Sequence, residues 1–179
     1  MRPPVESIEL YLNAEIEQAV RVWWQMLADV RVSSMAHGEH TPHITLLAAP
    51  HTGGSMLAAA RANTSWCDGL LGASITLSGL GLFPGGRSVL YASLVPTAQL
   101  LESHAALWQQ LDRAGIEVFS TAAPQSWTPH CTLAKRLRSE DVGAACAQLI
   151  HVPWPVHGHV SRVIHWDGAA RVVNEIASI

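Results

Sequence analysis

The alternation of polar and apolar positions predicts a strand at residues 6–13, ESIELYLN. The period then changes to that of a helix over residues 14–30, where Ile16, Val20, Trp23, Leu27 and Val30 fall on one stripe. HITLLAA at residues 43–49 returns to a strand pattern, and Gly53-Gly54 leads into an alanine-rich helical stretch that ends near Trp66. Two β-like runs, ASITLSGLGLF and RSVLYASLV, flank a Pro-Gly-Gly turn and predict a hairpin, with Gly79 and Gly81 marking a bulge. Thr97 is placed to cap a helix with Leu100, His104, Leu107, Trp108 and Leu111 on one stripe. PHCTLAKRL is the next strand, and Ser139, Glu140 and Asp141 open a further helix carrying Val142, Cys146 and Leu149. HVSRVIHW, Asp167-Gly168 and AARVVNEI read as a type I′ hairpin that closes the chain. The predicted order is β-α-β-α-β-β-α-β-α-β-β. The two hairpins require antiparallel pairing, and no glycine-rich loop joins a strand to a helix, so a doubly wound parallel sheet is not expected.

The pattern contains a repetition. TPHITLL starts at Thr41 and TPHCTLA at Thr128, each on a β-like segment. Each motif strand has a helix-bearing segment before it and another after it, as a duplicated α+β unit would. Side chains alternate along a strand, so His43 shares a face with Thr45, and His130 with Thr132. Ile44 and Cys131, where the two motifs differ, point the other way. Pro42 and Pro129 have no N–H to give a ladder and suit strand entry. Facing each other, two imidazoles and two hydroxyls suit phosphoryl chemistry without a metal. One neutral histidine can take a proton from an attacking hydroxyl, and the other, protonated, can give one to the departing oxygen. The threonine hydroxyls can donate to phosphate oxygens as charge builds there.

Composition narrows the partner. The chain has 179 residues, 49% of them hydrophobic, with 14% charged and a net charge of −3. A long nucleic-acid surface is usually basic, so none is expected, while a nucleotide or short RNA in a local pocket is compatible. Cys67, Cys131 and Cys146 make an odd set without CxxC spacing and are expected to be reduced. MRPPVESIEL contains no signal-like apolar region, and no apolar run is long enough to span a bilayer, so a cytoplasmic location is expected with no membrane contact.

With its order of hairpin, leucine-rich helix and WTPHCTLAKR, the paired motif resembles the 2H phosphoesterase superfamily. That superfamily includes the bacterial RNA 2′,3′-cyclic phosphodiesterases, also called 2′-5′ RNA ligases. The resemblance covers most of residues 6–137. It implies an α+β fold of two pseudo-symmetric lobes, with antiparallel sheets around a central groove and helices outside. Residues 1–179 would then form a single bilobal domain. It further implies a cyclic phosphodiesterase in which His43 donates a proton and His130 accepts one. Lys135 matches a basic position shortly after the second motif. No cofactor is implied, the substrate is a nucleotide or short RNA with a cyclic phosphate, and a monomer is expected.

Other residues bear on the site. Phe83, Tyr91 and Trp127 flank the expected groove and can stack on a base, although Trp127 can equally pack between lobes. His40 can meet a phosphate at the groove rim. Ten histidines invite a metal reading, with His37 and His40 at chelating spacing and His157 and His159 as a further pair. No second cluster of Asp or Glu accompanies them and no zinc-type cysteine partners are present, so no metal site is expected. The alternatives to a metal-independent phosphodiesterase are a nucleotide- or RNA-end-binding module of the same fold and a metal-dependent hydrolase.

Overall fold

A computed structural model of the protein describes residues 4–32, 35–36 and 40–179. The strands are β1 Val5–Leu12, β2 His43–Pro50, β3 Ser74–Phe83, β4 Ser88–Leu94, β5 His130–Leu137, β6 Val156–Asp167 and β7 Val172–Ser178. The helices are α1 Ala14–Asp29, α2 Ser55–Ala62, α3 Ala98–Arg113 and α4 Ser139–Leu149. Apart from two short 3₁₀ turns, Ser65–Cys67 and Ser120–Ala122, the order along the chain is the expected one.

The strands form a seven-stranded sheet in the order β1-β2-β5-β4-β3-β6-β7, and β1 also pairs with β6. Every pairing is antiparallel. Strand β6 serves both halves. Its first residues pair with β3 from Ser74↔His159 to Leu77↔Val156, and its remainder pairs with β1 from Leu12↔Val160 to Glu6↔Asp167. The strand path therefore closes on itself. Two antiparallel sets, β2-β1-β6-β7 and β5-β4-β3, are joined by β6 on one side and by β2–β5 on the other. The β2–β5 ladder consists of one pair, Ile44↔Cys131.

The helices cover one side of this sheet through the stripes that the sequence predicts. Ile16, Val20, Trp23 and Leu27 of α1 are buried, and Trp24 joins them. Val30 does not extend the stripe. The helix stops at Asp29, and Val30 is its C-cap, 39% exposed. On α3 the Thr97 hydroxyl accepts from the Leu100 N–H, and Leu100, His104, Leu107 and Leu111 are buried. Burial of the resulting core, with Ile8, Leu10, Ile44, Leu46, Leu133 and Val163 fully enclosed, is the main stabilising term. Cys67 and Cys131 are buried and free, and Cys146 is half-buried and free.

Both hairpins depart in detail from a simple ladder. The β3–β4 register shifts between Leu77 and Gly79, the expected bulge. Gly81 has a different reason: a Cβ there would lie 2.2 Å from the ring of Tyr91. The β6–β7 connection is not a type I′ turn, because that turn needs positive φ at both central residues. Strand β7 starts only at Val172, and the positive φ, 56°, belongs to Arg171. The Asp167 carboxylate instead accepts from the Ala169 and Ala170 N–H groups, holding a longer turn. Gly168 is required by close approach, since a Cβ would meet the Val5 carbonyl oxygen at 2.2 Å.

Candidate active site

The single β2–β5 pair determines the site. Ile44 and Cys131 face each other in register and are buried at 0% and 1% exposure. Alternation then turns their neighbours His43, Thr45, His130 and Thr132 to the opposite side. All four line one cavity of about 500 Å³. Because the ladder stops after one pair, the two strands are not zipped together on either side of it.

Each imidazole is oriented by its own motif. His43 Nδ1–H donates to the Thr41 carbonyl at 2.7 Å, and His130 Nδ1–H donates to the Thr128 carbonyl at 2.7 Å. The proline between donor and acceptor residues has a fixed φ and no competing N–H, which explains why Thr-Pro precedes both histidines. With Nδ1 engaged, Nε2 is the nitrogen left for chemistry. The threonine carbonyls are pinned in a crossed manner. Trp24 Nε1–H, from the helix after β1, donates to Thr132, and Trp127 Nε1–H, just before β5, donates to Thr45, both at 3.0 Å. Each half of the chain thus holds the other half's motif strand.

Phe83, Trp127 and Lys135 also line the cavity. Phe83 stacks on Tyr91 at 4.3 Å and meets His130 edge-on at 4.9 Å. Trp127 presents one face to His104, with centroids 3.9 Å apart and planes 4° from parallel. Only its other surface is therefore offered to the cavity, and its packing between the strand sets is the role seen here. Tyr91 and His40 are not among the lining residues. Tyr91 packs 5.1 Å from His130, and His40 lies 6.1 Å from His43 with Trp166 on its edge. Both pack beside the histidines, with Tyr91 in register with Thr132 on the same face of the sheet. His37 lies outside the described residues. Among the described residues, no group of three His, Cys, Asp or Glu side chains converges as a metal-binding set.

Several residues at the site carry no sequence signal. Phe119, Thr121 and Ser126, from the segment between α3 and β5, line the cavity with Ala48 and Val89. Phe119 is held there by its N–H, which donates to the Ala48 carbonyl at 2.9 Å. Glu9 of β1 is 5% exposed, and its Oε1 lies 3.7 Å from His43 Nε2. The Ser7 hydroxyl donates to the same oxygen at 2.6 Å. The signal that could have found Glu9 is the pairing of β1 with the first motif strand, in which Glu9 stands opposite Thr45.

Burial sets the electrostatics of His130. Burial pushes His130 below its ordinary value of 6.5, the Thr128 carbonyl opposes this, and the positive charges of His43 and Lys135 add to the lowering. His130 is therefore neutral at neutral pH and able to accept a proton. Lys135 is also lowered, mainly by desolvation of its ammonium, with Glu9 opposing. The Lys135 side chain as a whole is exposed.

A model of the 2′-5′ RNA ligase superfamily matches residues 14–169. A comparison with curated proteins finds no match. Among solved structures, the chain is similar to E. coli LigT in apo form, with a TM-score of 0.60 and 16% identity over 100% of this chain and 96% of LigT. A structure described as a phosphoesterase gives a TM-score of 0.60 and 17% identity over 92% of this chain and 88% of its own. Usb1 of Kluyveromyces marxianus with uridine monophosphate gives 0.58 and 9% identity, with 97% of each chain covered. These likenesses establish the fold, an α+β arrangement of an antiparallel seven-stranded sheet and four helices.

Proposed function

The chain belongs to the 2′-5′ RNA ligase superfamily, and from that membership and the geometry of the cavity we propose a metal-independent phosphodiesterase. It opens 2′,3′-cyclic phosphates, or related phosphodiesters of nucleotides and short RNA. The observation that carries this reading is the pair of His/Thr sets on one side of the β2–β5 junction, each imidazole fixed through Nδ1 to a carbonyl. Residues 1–179 act as one domain in this reading.

In the hydrolytic direction, His130 Nε2 takes a proton from water as its oxygen bonds to phosphorus. The bond from phosphorus to one ribose oxygen breaks, and His43 gives that oxygen a proton. The Thr45 and Thr132 hydroxyls donate to the non-bridging oxygens, where preorganised donors have their largest effect. Lys135 is the one Lys or Arg among the lining residues and supplies charge for one phosphate. Phe83, Phe119 and Trp127 give the cavity apolar walls suited to a base. A nucleotide-sized ligand fits this description better than a long strand. None of the helices, among the described residues, is long and apolar enough to cross a membrane.

The test is a panel of 2′,3′-cyclic nucleotides and short RNAs with 2′,3′-cyclic ends, incubated with the protein in EDTA. Turnover should persist in chelator. Loss of activity restored by added zinc or manganese would overturn the two-histidine mechanism, and tight binding without turnover would mark a binding module. The pH profile supplies a second reading. The base must be neutral, so kcat/KM falls as pH drops through the pKa of His130. Since burial lowers that pKa, the acid limb should lie below 6.5.

Thr45→Val and Thr132→Val remove a hydroxyl at nearly constant volume. Loss of one hydrogen bond to a charged group should cost about 1.5–3 kcal/mol of transition-state binding. Steady-state kinetics should show this as lower kcat/KM with the acid limb in place. Displacement of the acid limb by either substitution would assign the threonines to tuning the histidines instead.

A further inference from the structure

Glu9 stands apart in the site because a carboxylate is the wrong charge for holding phosphate. It is nearly fully buried, on the face of β1 turned towards Thr45, and its Oε1 is 3.7 Å from the His43 nitrogen that must touch the leaving oxygen. Ser7 holds that oxygen at 2.6 Å. The groups that share its field are His43, Lys135 and Tyr11, the last with the Arg162 guanidinium 5.0 Å from its ring. His130 completes the set across the cavity. We propose that Glu9 is a specificity residue that makes the cavity prefer a singly charged phosphodiester over a doubly charged phosphomonoester. This rests on the phosphodiesterase reading above.

The argument is one of charge. At the start of hydrolysis, His43 carries a proton, Lys135 is positive, His130 is neutral and Glu9 is negative. These four groups sum to one net positive charge, which matches the single charge of a diester; Arg162 sits over Tyr11 and is not among the residues lining the cavity. Ring opening turns that diester into a monoester, whose second ionisation lies near about 6 and which is therefore a dianion at neutral pH. A dianion beside Glu9 faces uncompensated repulsion, so product leaves and terminal phosphates are poorly held. Without Glu9, the cavity would match the dianion instead. Burial makes the effect large, because a charge shielded from water acts through a low effective dielectric.

The experiment is calorimetric titration at neutral pH with two probes that differ by one charge: 2′-deoxyadenosine 3′-monophosphate and its 3′-methyl phosphodiester. Neither has the 2′-hydroxyl needed to form a cyclic phosphate. In Glu9→Gln, which keeps an acceptor for Ser7, the monoester-to-diester affinity ratio should rise about tenfold. Both ligands should gain, the monoester more, because the bound phosphate takes over as the anion facing His43. Lys135→Met changes an exposed residue and should move the ratio in the opposite direction, which keeps the test intact should Glu9→Gln fold poorly. An unchanged ratio in a folded Glu9→Gln, or in Lys135→Met, overturns the inference while leaving the phosphodiesterase reading standing. Failure of both probes to bind the parent protein removes that reading and this inference with it.

Discussion

Replacing His43 or His130 with alanine should lower kcat on a 2′,3′-cyclic nucleotide by about 10²–10⁴-fold, the usual contribution of a positioned acid or base. The fold should survive both changes. Each imidazole lies on the cavity side of its strand, while the core-facing residues between the two, Ile44 and Cys131, remain. Circular dichroism and thermal melts should therefore match the parent closely. The leaving group separates the two roles. A p-nitrophenyl phosphodiester departs without needing a proton, so His43→Ala should recover much of its loss on that substrate. His130→Ala should not, since its burial-lowered pKa suits it to the base role and water still has to be deprotonated. Equal rescue of both variants would reverse or abolish the assignment, and a parent-like rate in either on the cyclic nucleotide would remove that histidine from the chemistry.

The element order and the motif pairing were legible because both depend on local periodicity. Two strands with the same Thr-Pro-His-x-Thr phrase announce equivalent positions before any tertiary contact is known, and the structure brings them together through Ile44 and Cys131. What was illegible depends on partners distant in sequence. Strand β1 reads as alternating, but alternation does not show that Glu6 and Glu9 are both buried, which follows from β1 running between β2 and β6. Tyr91 and Phe83 are both aromatic and both near the hairpin, but only Phe83 lines the cavity, and the register that stacks one on the other is set by Gly81. Phe119 and Ser126 come from an irregular segment whose path is fixed by individual hydrogen bonds, such as Phe119 N–H to Ala48, and not by any period. The Asp167-Gly168 pair is a correct turn signal with the wrong turn, because Gly168 is needed for contact with Val5 and not for its φ.

Glu6→Ala should destabilise the protein by about 3–5 kcal/mol, because two buried donors lose their acceptor at about 1–3 kcal/mol each. Glu6 is 0% exposed and His165 1% exposed, and His165 Nε2–H donates to Glu6 Oε2 at 2.9 Å. The other carboxylate oxygen accepts from the Thr52 N–H at 2.6 Å. Thr52 in turn accepts the Met56 N–H through its hydroxyl at 2.9 Å, which ties the start of α2 to the same point. Asn174 of β7 closes the group, its amide 3.4 Å from His165 Nδ1. One carboxylate thus joins β1, β6, β7 and the β2–α2 connection. Alanine would leave two donors without an acceptor in a region closed to water. Chemical denaturation should show the loss, and the midpoint of thermal unfolding should fall by roughly 6–20 °C at the 2–4 °C per kcal/mol typical of chains this size. The double variant Glu6→Leu with His165→Phe should lose less than the two single changes together, because it leaves one orphaned donor, the Thr52 N–H, where Glu6→Ala leaves two. Neither residue lines the cavity, so kcat of the folded fraction should hold. A cost below about 1 kcal/mol would show that water reaches the pair and that the strands are held by the apolar core alone.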